Sequence, residues 1–80
     1  MSAFTDYLAH RRALAEARMR HRRLMEAAQT YRELALALRW KSAHWAMDRR
    51  HDDAKWALER SPALIERSAE ILREAKEDLP

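Results

Sequence analysis

Residues 24–45 read LMEAAQTYRELALALRWKSAHW, and the apolar or small side chains in this stretch recur at alternating steps of three and four residues. This spacing places them on one side of an α-helix. The same register runs back towards the N-terminus, and we call the whole set the seam. The seam consists of Tyr7, His10, Leu14, Ala17, His21, Leu24, Ala28, Tyr31, Ala35, Leu38, Ser42 and Trp45. Since the pattern holds for more than five heptads, it predicts helices that pack side by side with a left-handed supercoil.

The composition excludes most alternatives to a helical fold. The chain has 80 residues, 48% of them apolar, with no glycine, no cysteine and two prolines. Without cysteine there are no disulfides or thiolate zinc sites. Without glycine, phosphate-binding loops, dinucleotide fingerprints and most tight hairpin turns are excluded. The chain is therefore predicted to be all-α.

Residues that cap or interrupt helices predict where the helices begin and end. We expect one helical domain over residues 1–80, with a first helix over about 5–47 and a possible break at 48–53. A short helix over about 53–60 would follow. Ser61 and Pro62 have the residue types of an N-cap and a first helical position, and predict a C-terminal helix over 62–78. The expected architecture is a long helix folded back on a shorter C-terminal helix, as a helical hairpin or a three-helix variant.

The predicted helices differ in length, which indicates self-association. At ~1.5 Å per residue the C-terminal helix is ~25 Å long and the first is ~65 Å. A helix that folds back at Ser61 would leave the seam over residues 7–31 uncovered within its own chain. We therefore expect a homo-oligomeric, coiled-coil-like bundle. The predicted oligomer interface is Tyr7, Leu14, Leu24, Tyr31, Leu38 and Trp45.

The charged residues point to an anionic partner. The net charge is +3, and arginine is concentrated in residues 10–23. The candidate residues for binding nucleic acid or an acidic protein are Arg11, Arg12, Arg18, Arg20, Arg22 and Arg23. Such a density on a helix is typical of phosphate contact, and also of a solvated basic face. A third alternative pairs the heptad column of Arg11, Arg18, Arg32 and Arg39 with Glu66, Glu70 and Glu74 of the last helix or of a second chain.

Nothing in the sequence indicates catalysis. There is no cysteine, no glycine-flanked serine, and too short a chain to enclose a pocket readily, so we expect no enzymatic activity. His44, Asp48, His51 and Asp52 would share one side of a continuous helix, but Arg49 and Arg50 lie among them. We therefore expect no metal and no cofactor.

The expected function is binding. Arg39 and Lys41 interrupt the apolar stretch over residues 34–47, so no membrane span is expected, and the default location is cytoplasmic. The leading hypothesis is a small helical adaptor or regulatory protein that self-associates and docks on a larger protein assembly. The alternative is a nucleic-acid-binding protein that uses the arginine-rich segment 10–23.

Overall fold

The computed structural model describes residues 2–78 and confirms an all-α helical hairpin. Helix α1 spans Ala3–Met47 and helix α2 spans His51–Glu77, with a turn at residues 48–50 between them. The two helices pack against each other along the length of α2. The molecule measures 70 × 16 × 11 Å, so it is one helix pair thick and encloses no interior beyond the contact between its helices.

Side chains and backbone geometry define both ends of α1. Ser2 is the N-cap, and its hydroxyl accepts a 3.2 Å hydrogen bond from the backbone N–H of Thr5. At the other end Arg49 adopts a left-handed conformation with φ of 61°. The N–H of Arg50 then donates to the carbonyl of Trp45 at 2.7 Å, which closes the helix as a C-terminal cap. An arginine therefore occupies a position that favours glycine.

The predicted helix start at Pro62 is wrong, because α2 runs without interruption from His51 to Glu77 with Pro62 inside it. Residues 53–60 and 62–78 are thus parts of one helix. Proline has no N–H, so the carbonyl of Leu58 lacks its usual helical partner. Position 62 is exposed, so the defect lies on the solvent side and the packed side of α2 is preserved.

The buried contact between the helices consists of small residues. On α2 the same three-four spacing continues past Pro62, and the seam of this helix consists of Ala54, Ala57, Ser61, Leu64, Ser68, Ile71 and Ala75. The buried side chains of the hairpin are Ala17, Ala28, Ala35, Ser42, Ala54, Ala57, Ser61, Ser68, Ile71 and Ala75. Of these ten only Ile71 is large, so the two backbones can approach closely. Larger seam residues such as Leu24, Tyr31 and Leu38 are half-buried at the edge of the contact.

Polar side chains cross the seam to backbone carbonyls at heptad intervals. Ser42 donates to the carbonyl of Ala54 at 2.7 Å, Ser61 to that of Ala35 at 3.0 Å, and Ser68 to that of Ala28 at 2.8 Å.

His21 continues the series, with its Nδ1 at 3.1 Å from the carbonyl of Ala75. Since a carbonyl only accepts, Nδ1 carries the proton of this bond. Partners on both helices are spaced by seven residues, which fixes the antiparallel register of the hairpin.

The prediction that the seam over residues 7–31 is uncovered within its own chain is wrong for residues 17–31, because α2 is longer than predicted. Because α2 turns back at His51 rather than at Ser61, it covers α1 as far as Ala17, which is buried. Of the six predicted oligomer-interface residues, Leu24, Tyr31, Leu38 and Trp45 thus lie along the contact with α2 of their own chain. Leu14 is half-buried and Tyr7 is exposed in the N-terminal part of α1 that extends past α2.

Candidate docking groove

One side of the hairpin is formed by the residues that directly follow a seam residue. In an α-helix the next residue lies about 100° further round, and in antiparallel helices this rotation brings the following residues of both to the same side. On α1 these include Arg32, Leu36 and Arg39, and on α2 they include Ile65 and Leu72. We call this side the groove side. The opposite side is formed by the residues that directly precede a seam residue, and we call it the far side.

A groove of about 350 Å³ lies between the helices on this side. Its lining residues are Arg32, Leu36, Arg39, Ile65, Ser68, Ala69 and Leu72. Six of these seven directly follow a seam residue. The groove is open to solvent, and Leu36 is 52% exposed while Leu72 is 42% exposed. Three large aliphatic side chains, Leu36, Ile65 and Leu72, therefore lie outside the buried contact, next to arginines.

The groove side carries charge of one sign. Along the paired part of the hairpin, residues 15–76, it has six cations and no carboxylate. The six cations are Arg18, Arg22, Arg32, Arg39, Lys55 and Lys76. The far side mixes signs, since Arg20, Lys41 and Arg67 lie there with Asp53, Glu70 and Glu74. The side that exposes the aliphatic groove thus carries positive charge and no carboxylate of its own, although Lys55 pairs at 3.9 Å with Glu59 on the outer face of α2.

Within the described chain the arginine column does not pair with the glutamates of α2, so the intrachain form of this alternative is wrong, and pairing with a second chain stays a prediction. Glu70 and Glu74 instead lie 3.2 and 3.7 Å from Nη1 of Arg67 on their own helix. The hydrogen bond that Arg67 donates to Glu70, supported by the charge of Glu74, raises the pKa of the Arg67 guanidinium. Among residues 2–78, Arg32 and Arg39 form no ion pair within 4.0 Å of a carboxylate.

The six arginines proposed from sequence do not form a single patch. Arg11, Arg18 and Arg22 directly follow seam residues and extend the groove side towards the N-terminus. Arg20 lies on the far side, where its Nε is 3.4 Å from Oδ2 of Asp78.

Arg23 also lies on the far side, and Arg12 lies at the outer edge of α1. Arg11 bends back over Tyr7, with its guanidinium 5.9 Å from the ring centroid. The segment 10–23 therefore presents cations around most of the helix.

Residues 2–78 contain neither a cluster of metal-ligating side chains nor a membrane-spanning helix. No group of three or more histidine, cysteine, aspartate or glutamate side chains is placed to hold a metal ion in this part of the chain. His44 instead packs on Trp40, with ring centroids 4.1 Å apart. Neither described helix is long and apolar enough to cross a bilayer.

Sequence reasoning missed the groove, although the signal was present. Leu58, Ile65 and Leu72 are spaced by seven residues on α2 and directly follow its seam residues. Placing a helix start at Pro62 separated Leu58 from the other two and hid the column. Reading the α2 register through the proline would have shown an aliphatic column beside the column of Arg32 and Arg39.

No known family model, curated protein or solved structure matches this chain. The geometry and charge of the hairpin are therefore the basis on which a function is proposed.

Proposed function

We propose that this protein is a non-enzymatic helical adaptor that docks on a larger protein through its groove side. The observation that carries the proposal is the asymmetry of the hairpin. One side combines an open aliphatic groove with cations and no carboxylate, whereas the far side has mixed charge. Exposed apolar patches rimmed by polar residues mark interaction sites, and arginine is enriched at protein interfaces.

The exposed area of the hairpin supports a partner of this kind. Its accessible surface is 6754 Å², whereas a folded monomer of 9.5 kDa averages about 5,000 Å². The excess is larger than the ~800 Å² that each partner contributes to a standard interface. An elongated pair of helices thus has enough surface to form a stable complex without refolding.

Photocrosslinking tests the proposal in the cells from which the sequence derives. A benzophenone amino acid is placed at Leu36 in the groove or, as the matched control, at the exposed Ala63 on the far side. We expect discrete protein adducts from position 36 that survive nuclease treatment and that disappear when Arg32 and Arg39 are both changed to glutamate. Equal adducts from the two positions, or none from position 36, would contradict the proposal.

Nucleic-acid binding is the second candidate, supported by the exposed arginines at the N-terminal end of the hairpin. Arg12, Arg22 and Arg23 are exposed and form no ion pair with another described residue. If they contact phosphates, changing all three to glutamine reduces the slope of log K against log salt by about one for each lost contact. An unchanged slope would reject these residues as phosphate contacts.

A further inference from the structure

The aliphatic column of α2 has the spacing that a third helix requires. Leu58, Ile65 and Leu72 are seven residues apart and span ~21 Å, about four helical turns. All three are exposed, from 39% for Ile65 to 57% for Leu58. A heptad column of this length fits the apolar stripe of one amphipathic helix, which would pack into the groove between α1 and α2.

The opposite wall of the groove determines the charge of that helix. Arg32 and Arg39 lie at the same heptad spacing on α1 and line the groove together with Ile65 and Leu72. Their guanidinium groups are suited to bidentate contact with carboxylates. Within the described chain they have no carboxylate partner in ion-pair range.

We propose that the groove binds an acidic amphipathic α-helix of a partner protein, whose apolar stripe covers Ile65 and Leu72 while its carboxylates meet Arg32 and Arg39. This inference rests on the proposed adaptor function and specifies the chemistry of its partner.

Other occupants fit the groove less well. A second copy that presented its own groove side would bring cations against Arg32 and Arg39, which is unfavourable. Nucleic acid would meet the arginines, but its charged backbone offers no apolar surface to Ile65 and Leu72.

Fluorescence anisotropy with two designed peptides tests the inference on the full chain. Both peptides are amphipathic helices of about 18 residues, long enough to span the groove, with the same leucine stripe. One carries glutamate at its flanking positions and the other carries lysine. We expect the acidic peptide to bind at least about tenfold more tightly than the basic one, and to weaken as salt rises.

A charge swap locates the contact. In the Arg32→Glu/Arg39→Glu variant we expect the preference to invert, so that the basic peptide binds more tightly. The matched control is Arg23→Glu/Arg73→Glu, which changes the net charge equally at exposed positions away from the groove lining. It should retain the preference for the acidic peptide. Circular dichroism shows whether a variant has lost its helices. If the glutamate variant has, the Arg32→Gln/Arg39→Gln variant is used in its place, and we then expect the preference for the acidic peptide to be lost rather than inverted.

Several outcomes would overturn the inference. Equal affinity of the wild-type protein for both peptides would do so. So would an equal change in the preference for the acidic peptide in the groove variant and in the Arg23→Glu/Arg73→Glu control. Direct binding of a short DNA duplex or of phosphatidylglycerol vesicles that the groove variant abolishes, together with no peptide binding, would assign the groove to those partners. If position 36 crosslinks to a protein while the peptides show no preference, the adaptor proposal stands and the acidic-helix inference fails.

Discussion

The seam and the groove of this hairpin lie side by side, yet they consist of opposite kinds of residue. The buried residues of the seam are mainly alanine and serine, and the serines donate to backbone carbonyls across the contact. The groove is lined by leucine, isoleucine and arginine, and much of that aliphatic surface is exposed. In the sequence, six of the seven groove residues directly follow a residue of the seam.

This difference separates what holds the fold from what is available to a partner. Small residues bury little apolar area each, so the seam depends on close packing and hydrogen bonds across it. Leu36, Ile65 and Leu72, residues of the type that stabilise most helical bundles, lie outside the contact, where a partner would bury them. We therefore expect substitutions in the seam and substitutions in the groove to have separable effects.

The largest expected effect is in the seam. Ala35 and Ala57 are both 0% exposed, so Ala35→Leu or Ala57→Leu would force the helices apart. We expect a loss of about 3 kcal/mol in the free energy of unfolding, measured by urea denaturation. The matched groove substitution Leu36→Ala should change it by less than ~0.5 kcal/mol. A seam variant as stable as the wild type would show that the contact is not closely packed.

Pro62 provides the next test, because it lies on the groove side of α2 while its neighbour Ser61 is buried in the seam. Pro62→Ala restores the N–H that the carbonyl of Leu58 lacks, so we expect the free energy of unfolding to rise by about 1–2 kcal/mol. Lys55→Ala, at an equivalent exposed position, should have little effect. A destabilised Pro62→Ala protein would contradict the account of the proline as a tolerated defect.

Pro62 also shows how far sequence alone could lead. The seam of α1 predicted its helical class and end correctly, because the three-four alternation extends over many turns without interruption. In α2 a local signal, serine followed by proline, conflicted with the register through Ala57, Ser61 and Leu64. Packing of that register against α1 outweighs one lost backbone hydrogen bond, and only tertiary structure reveals this balance.

The position of the arginines was predictable in part. Their heptad column beside the seam is visible in the sequence, but the column alone does not show whether it faces α2, a second chain or solvent. In the structure Arg67 pairs with Glu70 and Glu74 on α2, which leaves Arg32 and Arg39 without carboxylate partners among residues 2–78. A long-range charge arrangement of this kind depends on the register of the hairpin, which the hydrogen bonds across the seam fix.

A smaller effect tests those hydrogen bonds. Ser61→Ala removes the 3.0 Å bond to the carbonyl of Ala35 with little change in volume, and should lower the free energy of unfolding by about 1 kcal/mol. Thr30→Ala is the control, since Thr30 bonds the carbonyl of Glu26 on the exposed face of its own helix. Equal effects of the two substitutions would show that crossing the seam adds nothing to the bond.

The smallest effect compares a paired arginine with an unpaired one. Arg20 and Asp78 form an exposed ion pair at 3.4 Å between the helices, so Arg20→Ala should lower the free energy of unfolding by up to ~0.5 kcal/mol in low salt. In 1 M salt, where the screening length falls to about 3 Å, the loss should vanish. Arg32→Ala should leave unfolding unchanged at either salt concentration, because no described carboxylate lies within ion-pair distance of Arg32. A salt-dependent loss for Arg32→Ala would mean that the groove arginines already have an acidic partner within the chain, and the case for an external one would lose its main support.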